Sequence, residues 1–265
     1  MITSRDNSLL RRARAVRDGK TEDVIFVEGL RLCEEALRSG VPIKAVIFSE
    51  EIALKEKAAH LLAELGQVCD NLAPVSEKLL ESISYTKTPQ GIVVLGARPA
   101  MDEASFKSRQ PPAPFLVIVH GINNPVNIGA ILRTAEAAGV TGIITTQSSA
   151  DPCSPKALRG AMGSAFRLPI WHGPGYADVL AWCSKRKIGT VCADVNGSTL
   201  YTNLDWKVPR ALILGPESTG LSSNELSAAG AIVTIPMQGK VESLNVGVAA
   251  AILLYEAARQ RASGK

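Results

Sequence analysis

The chain of 265 residues has no uninterrupted apolar run near the roughly 20 residues that a membrane helix needs. Its opening, Met1-Ile2-Thr3-Ser4-Arg5, lacks the apolar core of a secretory signal, so a cytoplasmic location without a membrane partner is expected. Five cysteines stand at irregular spacing with no Cys-x-x-Cys pair, which argues against both a disulfide framework and a zinc site. They read as small buried hydrophobes in a reduced compartment. His60, His120 and His172 fall in no metal-ligand pattern and each reads as structural, so no metal is expected. No Gly-x-Gly-x-x-Gly follows a strand and no Gly-x-x-x-x-Gly-Lys-Ser/Thr occurs, which disfavours a dinucleotide enzyme or a nucleotide triphosphatase. A Gly-x-Ser-x-Gly elbow is missing too.

What is present is ordinary for a globular chain: 46% hydrophobic and 20% charged residues, so disorder is not the main state. The net charge of +4 says less than its distribution. Arg5, Arg11, Arg12, Arg14, Arg17 and Lys20 crowd the first 20 residues against Asp6 and Asp18 alone. Such a cluster can neutralise phosphates, and Arg11, Arg12, Arg14, Arg17 and Lys20 are the candidate nucleic-acid contacts. The bland alternative is the solvated face of an N-terminal helix.

Alternating strand and helix signals split into two parts. The first has strands over 24–27, 45–48 and 91–95 and helices over 28–37, 52–65 and 76–82, a small α/β unit. Pro99, Pro111, Pro112 and Pro114 mark a linker. The expected division is 1–98, linker 99–113, and 114–265. The second part starts with 115–119, an apolar run typical of a strand buried on both faces. Further strands are expected over 142–145, 189–193, 211–214 and 231–235. Helices are expected over 127–138, 156–163, 178–187, 222–229 and 245–259. This pattern means a parallel sheet covered on both faces, whose ligands bind at the carboxyl ends of strands.

Three segments follow such strand ends. In Asn123-Asn124-Pro125-Val126-Asn127-Ile128-Gly129, Asn127 stands where a helix starts, and Arg133 lies one turn beyond Gly129. An Asn N-cap and a surface arginine would explain both. In Leu214-Gly215-Pro216-Glu217-Ser218-Thr219-Gly220-Leu221-Ser222, the strand runs into a sharp turn. Its exposed backbone can read an adenine edge, and Glu217 could pair with Arg133 in a bidentate geometry. The alternative is a plain turn and a Ser222 cap. In the third, residues 235–246, Ser243-Leu244-Asn245 opens the last helix, with Ser243 as its possible N-cap. The apolar stretch 246–254 suggests that this helix is buried, so the polar residues at its mouth face a site or an interface.

The order Asn-x-Gly-x-x-x-Arg, Leu-Gly-x-Glu-x-x-Gly-Leu-Ser and Ile-Pro-Met…Ser-Leu-Asn-Val resembles the SpoU family of RNA 2′-O-ribose methyltransferases. Residues 155–169 resemble a family segment as well. The first part, with Phe26-Val27-Glu28-Gly29 and Thr86-Lys87-Thr88-Pro89-Gln90-Gly91, is similar to the ribosomal-protein-like substrate domain of many members. Asn124 and Ser218 depart from the aspartate and glycine that many members carry there.

The resemblance implies an α/β fold whose C-terminal parallel sheet is threaded into a trefoil knot (SPOUT-like), and a homodimer. It implies S-adenosylmethionine held by Gly215, Ile235 and Leu244, with Thr145 as a further candidate. Asn127, Arg133, Glu217, Ser243 and Asn245 match active-site positions. The expected substrate is RNA, ribosomal by analogy, with transfer RNA or a non-catalytic assembly role as alternatives. A guanidinium has a pKa above about 12, so Arg133 is expected to orient a phosphate and stabilise an oxyanion, not to act as a base.

Overall fold

The N-terminal helix α1 (Ser8–Arg17) starts where the Asn7 side chain accepts a hydrogen bond from the Leu9 N–H at 2.9 Å. It buries Leu10, Ala13 and Val16, three residues of one face. There follow β1 (Val24–Glu28), α2 (Leu30–Arg38), β2 (Ile43–Ser49), α3 (Glu50–Ala53), α4 (Glu56–Gly66), β3 (Leu72–Val75), α5 (Glu77–Ile83) and β4 (Ile92–Ala97). Their sheet has the order β1-β4-β2-β3, antiparallel except between β2 and β3. Leu10, Phe26, Ile47, Leu80 and Val93 share its core.

The second sheet belongs to α6 (Glu103–Ser108), β5 (Phe115–Val119), α7 (Pro125–Ala137), β6 (Gly142–Thr145), α8 (Pro155–Ala161), α9 (Ser164–Arg167), β7 (Ile170–His172), α10 (Tyr176–Lys185), β8 (Gly189–Ala193), β9 (Thr199–Leu200), β10 (Arg210–Leu214), α11 (Ser223–Ser227), β11 (Ala231–Thr234) and α12 (Val246–Ala262). Seven strands lie in the order β7-β6-β5-β10-β8-β11-β9, every pair parallel. All carboxyl ends therefore share one rim, as expected for a mixed α/β chain with a parallel sheet.

The computed structural model describes residues 2–262. It divides into a first unit, ending at Pro99 but also including Cys153–Arg167, and a second unit made of Ala100–Pro152 and the chain from Leu168 on. The expected boundaries differ from this in two places. Helices α8 and α9 cluster with the first unit, where Arg167 pairs with Glu35. The supposed linker is part of the second unit: Asp102 caps α6, and Phe106 is only 1% exposed. Phe106 packs on Trp171 and Trp182, and a Cβ on Gly142 would come within 2.5 Å of its ring.

Other differences have local reasons. The helix expected over 52–65 is two helices, because an unbroken one would place Lys55 and Glu56 on the buried face of Ile52. Strand β3 lies outside the expected strands; it contains Pro74, which an edge strand tolerates. Strands β7 and β9 are too short for a periodicity to show.

Phe106→Ala should cost about 3–5 kcal/mol, since the pocket between Trp171 and Trp182 cannot collapse fully. Urea denaturation measures it. A loss under about 1 kcal/mol would mean that α6 is not anchored.

Candidate active site

A cleft of about 590 Å³ opens at the carboxyl ends of β8, β10 and β11. Its walls are residues 193–195 after β8, the turn 213–221 around the end of β10, Ile235 and Met237 after β11, and 242–246 at the mouth of α12. Gly215 has no Cβ, and one built there would stand 2.7 Å from Leu221 Cγ, so the turn can fold back on itself. Gly220, at φ +65°, donates its N–H to Pro216 O at 3.0 Å. Pro216 in turn rests against Gly121, where a Cβ would come within 2.8 Å.

The turn is held at its far end too. Glu225 accepts the Ser222 N–H and hydroxyl, each at 2.7 Å, completing a capping box at the start of α11. His120, just past β5, donates from Nε2 to the same carboxylate at 2.8 Å. Its Nδ1 lies 3.0 Å from the Thr146 hydroxyl, and its ring stacks on Tyr176 at 4.3 Å. The bonds from Ser222, then that from His120, hold the Glu225 carboxyl below its ordinary range. Glu225 is thus a charged post that ties the turn to β5.

At the opposite wall, Asn245 Oδ1 accepts the Gly247 N–H at 2.9 Å, which makes Asn245 the cap of α12. That bond fixes the orientation of its amide, so Nδ2 is the donor to Asn127 Oδ1 at 3.4 Å. Asn127 is buried, and its own Nδ2 has no partner. A buried amide donor left unpaired is costly.

Gly215, Glu217, Ile235, Ser243, Leu244 and Asn245 all line the cleft. Asn127 stands one hydrogen bond behind its wall. Arg133 is exposed on α7 and not among the wall residues. Among the described residues no ion pair joins Arg133 to Glu217, which corrects the expected bidentate pairing. Both side chains are exposed, and two hydrated charges gain little from meeting.

Thr145 does not line the cleft. It is fully buried in β6, beyond β5 from the cleft, with its hydroxyl 2.7 Å from His172 Nδ1. Asn124, not Asn127, caps α7, with Pro125 at its first position. Ser243 does not cap α12, and that helix is not buried throughout, since Val248 and Tyr255 are exposed. In the basic cluster, Arg14 donates to Arg5 O, and Arg17 to Asp18 and to the Ser82 and Ser84 carbonyls. Arg11, Arg12 and Lys20 stay exposed.

Sequence reasoning took His120 as structural, which it is, but missed its bond to Glu225. The only signal was His120's place directly after a buried strand, on the ligand rim. The five cysteines are buried, and burial pushes the Cys183 and Cys192 thiols up to about 12, so neither is a nucleophile. Among the described residues no three His, Cys, Asp or Glu side chains gather as a metal ion would need.

The cleft fits the cofactor that the resemblance implies. Its volume is within the usual range for a ligand of that size. Ile213, Leu221, Ile235 and Leu244 supply apolar surface for a purine, while Asp194, Glu217 and Glu242 supply negative charge for a cationic group.

The profile of the SpoU rRNA Methylase family matches residues 114–255, and that of the MRM3-like substrate binding domain matches residues 9–94. The chain is 32% identical to the 23S rRNA (uridine(2479)-2′-O)-methyltransferase of Streptomyces viridochromogenes, over 91% of this chain and 84% of that protein. It is 31% identical to the 23S rRNA (guanosine(2553)-2′-O)-methyltransferase RlmP of Bacillus subtilis, over 88% of each. The crystal structure of the SpoU methyltransferase AviRb from Streptomyces viridochromogenes, in complex with AdoMet, superposes with a TM-score of 0.86 at 29% identity. That match covers 98% of this chain and all of the other.

His120→Ala should lower stability by about 1–3 kcal/mol, because it strips a partner from the Glu225 carboxylate and the Thr146 hydroxyl. Urea denaturation reads it. A change within about 0.5 kcal/mol, as for an unremarkable surface site, would show that the bridge holds nothing.

Proposed function

This chain belongs to the SpoU rRNA methylase family, and from that premise we propose how its own residues carry out the reaction. It is an S-adenosylmethionine-dependent methyltransferase acting on ribose 2′-hydroxyls of RNA. The substrate is ribosomal RNA, on which the Streptomyces viridochromogenes and Bacillus subtilis relatives act by name. The observation that carries the reading is the convergence of the turn at 215–221 and the loop at 235–246 on one cleft, with the unpaired Asn127 amide behind it.

When bound, the cofactor supplies an electrophilic methyl group on a sulfonium sulfur. Gly215, Ile235 and Leu244 hold it, largely through backbone groups, and Glu217 adds negative charge to the wall. Asn127 holds the Asn245 amide from behind the wall, and Ser243 places a hydroxyl at the mouth. Arg133 lies six residues beyond Asn127 on α7, exposed and free to meet a phosphate. Its planar fork orients that phosphate and stabilises charge developing on the attacking oxygen.

The same reading includes a trefoil knot, a homodimer and a cytoplasmic location. The return of the chain supports the knot: β11 lies beyond β8 from β10, yet α12 packs on α7, the helix that follows β5. The exposed apolar residues Val126 on α7 and Val248 and Tyr255 on α12 support the homodimer. A ribosomal RNA substrate and five reduced thiols suit the cytoplasm. The first unit holds RNA, and in the basic cluster Arg11, Arg12 and Lys20 have the exposure to do so.

Incubating the protein with methyl-tritiated cofactor and total RNA should label the ribosomal fraction. Label confined to transfer-RNA sizes would overturn the assigned substrate, and no label would overturn the enzyme. Arg133→Lys should lower kcat about a hundredfold with cofactor Kd unchanged, and near-normal turnover would remove the planar fork from the mechanism. Reversing Arg11, Arg12 and Lys20 to Glu should weaken RNA binding and flatten its salt slope by about 0.7–0.9 per lost phosphate contact. An unchanged slope would take these three off the RNA.

A further inference from the structure

Behind the turn that walls the cleft lies a cluster of polar side chains. His120, Thr146, Tyr176 and Glu225 come together there from the ends of β5 and β6, the start of α10 and the first turn of α11, and none of them lines the cleft. The His120 side chain is 13% exposed, enough to exchange a proton with solvent. An ionised carboxylate only accepts, so Nε2, which faces Glu225, carries a hydrogen in either state of the ring. Only Nδ1 is left to gain or lose one.

The surroundings of Nδ1 suit both states. In the neutral ring it accepts from the Thr146 hydroxyl at 3.0 Å. In the charged ring it donates, and the Thr146 hydroxyl must turn to another acceptor. Two stand within reach, Ser148 Oγ at 3.2 Å and Ser149 Oγ at 3.4 Å. Ser149 gives its own hydrogen to the Val119 carbonyl at 3.0 Å, so its oxygen is able to accept. A proton therefore enters the cluster without leaving a polar group unpaired, which would otherwise be costly.

The titratable groups around the ring are Glu225 from α11 and Tyr176 from α10, with Cys192 of β8 beside the Tyr176 hydroxyl. Burial pushes the Tyr176 hydroxyl above its ordinary range and the Cys192 thiol up to about 12, so both stay neutral near pH 7. The bonds from Ser222 and His120 keep Glu225 charged. Imidazole is left as the one group of the cluster suited to change charge between about pH 5 and 8.

The cluster bears on the cleft through Glu225. Its carboxylate takes two bonds from Ser222, the residue directly after the wall turn. Leu221, the last residue of that turn, is buried in a core that Tyr176 and Leu226 also join. A charged ring replaces a neutral donor on Glu225 with a charge-assisted one, roughly twice as strong.

We propose that His120 and Glu225 are positioning residues for the cofactor, and that a proton taken up from solvent by His120 fastens the turn against which the cofactor binds. With the ring charged, more molecules hold the turn seated, and the apparent affinity rises with that fraction. Tight binding therefore belongs to low pH and is lost as pH rises. The inference rests on the cleft as the place of the cofactor, and adds a proton to its occupation.

The test is isothermal titration calorimetry of the full-length protein with S-adenosylmethionine between about pH 5.5 and 8.5, repeated near pH 7 in two buffers of different ionisation enthalpy. Over that range the wild-type Kd should rise about threefold more than that of His120→Gln, whose amide keeps a donor for Glu225 but does not titrate. The amino group of the cofactor titrates with both proteins, so the difference belongs to the ring. Wild-type binding should take up a fraction of a proton that His120→Gln does not. Glu225→Gln, which preserves the capping box, should flatten the profile in the same way. A mere loss of stability would weaken binding without changing the proton count. Equal profiles and equal proton counts in the wild type and both variants overturn the positioning role alone. Binding that Leu244→Arg, in the wall of the cleft, leaves at full strength overturns the reading of the cleft and this inference with it.

Discussion

Five consecutive parallel pairs, Phe115 to Val119 against Arg210 to Leu214, determine where everything in the catalytic unit can lie. Parallel pairing sends both strands out of the sheet at the same rim, and burial on both faces keeps their register from slipping. The two exits are then neighbours. One leads through His120 and Gly121 to α7, and the other leads through Gly215 and Pro216 to the turn that walls the cleft. The contact of Gly121 with Pro216 and the reach of His120 to Glu225 are both possible because the strands end level with one another.

Much of this was legible in the chain. The buried strands announce themselves by apolar runs, and the rim follows from their alternation with helices. The wall residues Gly215, Ile235 and Leu244 were legible because they follow strand ends within specific motifs. Chemistry that depends on side-chain direction was not. Arg133 and Glu217 sit in the right segments, yet nothing in their spacing shows that both are exposed. Thr145 ends a strand on the same rim, but β5 intervenes and its hydroxyl is spent on His172. Capping shifted by three residues at α7 because Pro125 suits the first helical position so well.

Charge was the least legible property. The N-terminal cluster looks uniform in sequence, yet Arg14 and Arg17 donate to backbone carbonyls while Arg11, Arg12 and Lys20 do not. Glu28 shows the converse. In sequence it opens the helix expected over 28–37, and only its burial reveals a carboxylate that organises a distant loop. A side chain fifty-seven residues from its partner leaves no periodicity to find.

The first unit is not a continuous stretch of chain. The backbone passes between units after Pro99, after Pro152 and after Arg167, and Cys153–Arg167 is coded inside the catalytic half. Exchange of genetic segments at the apparent boundary would therefore separate α8 and α9 from the sheet they pack on. A recombinant joining the first hundred residues of one such protein to the remainder of another would inherit a mismatched pair of helices.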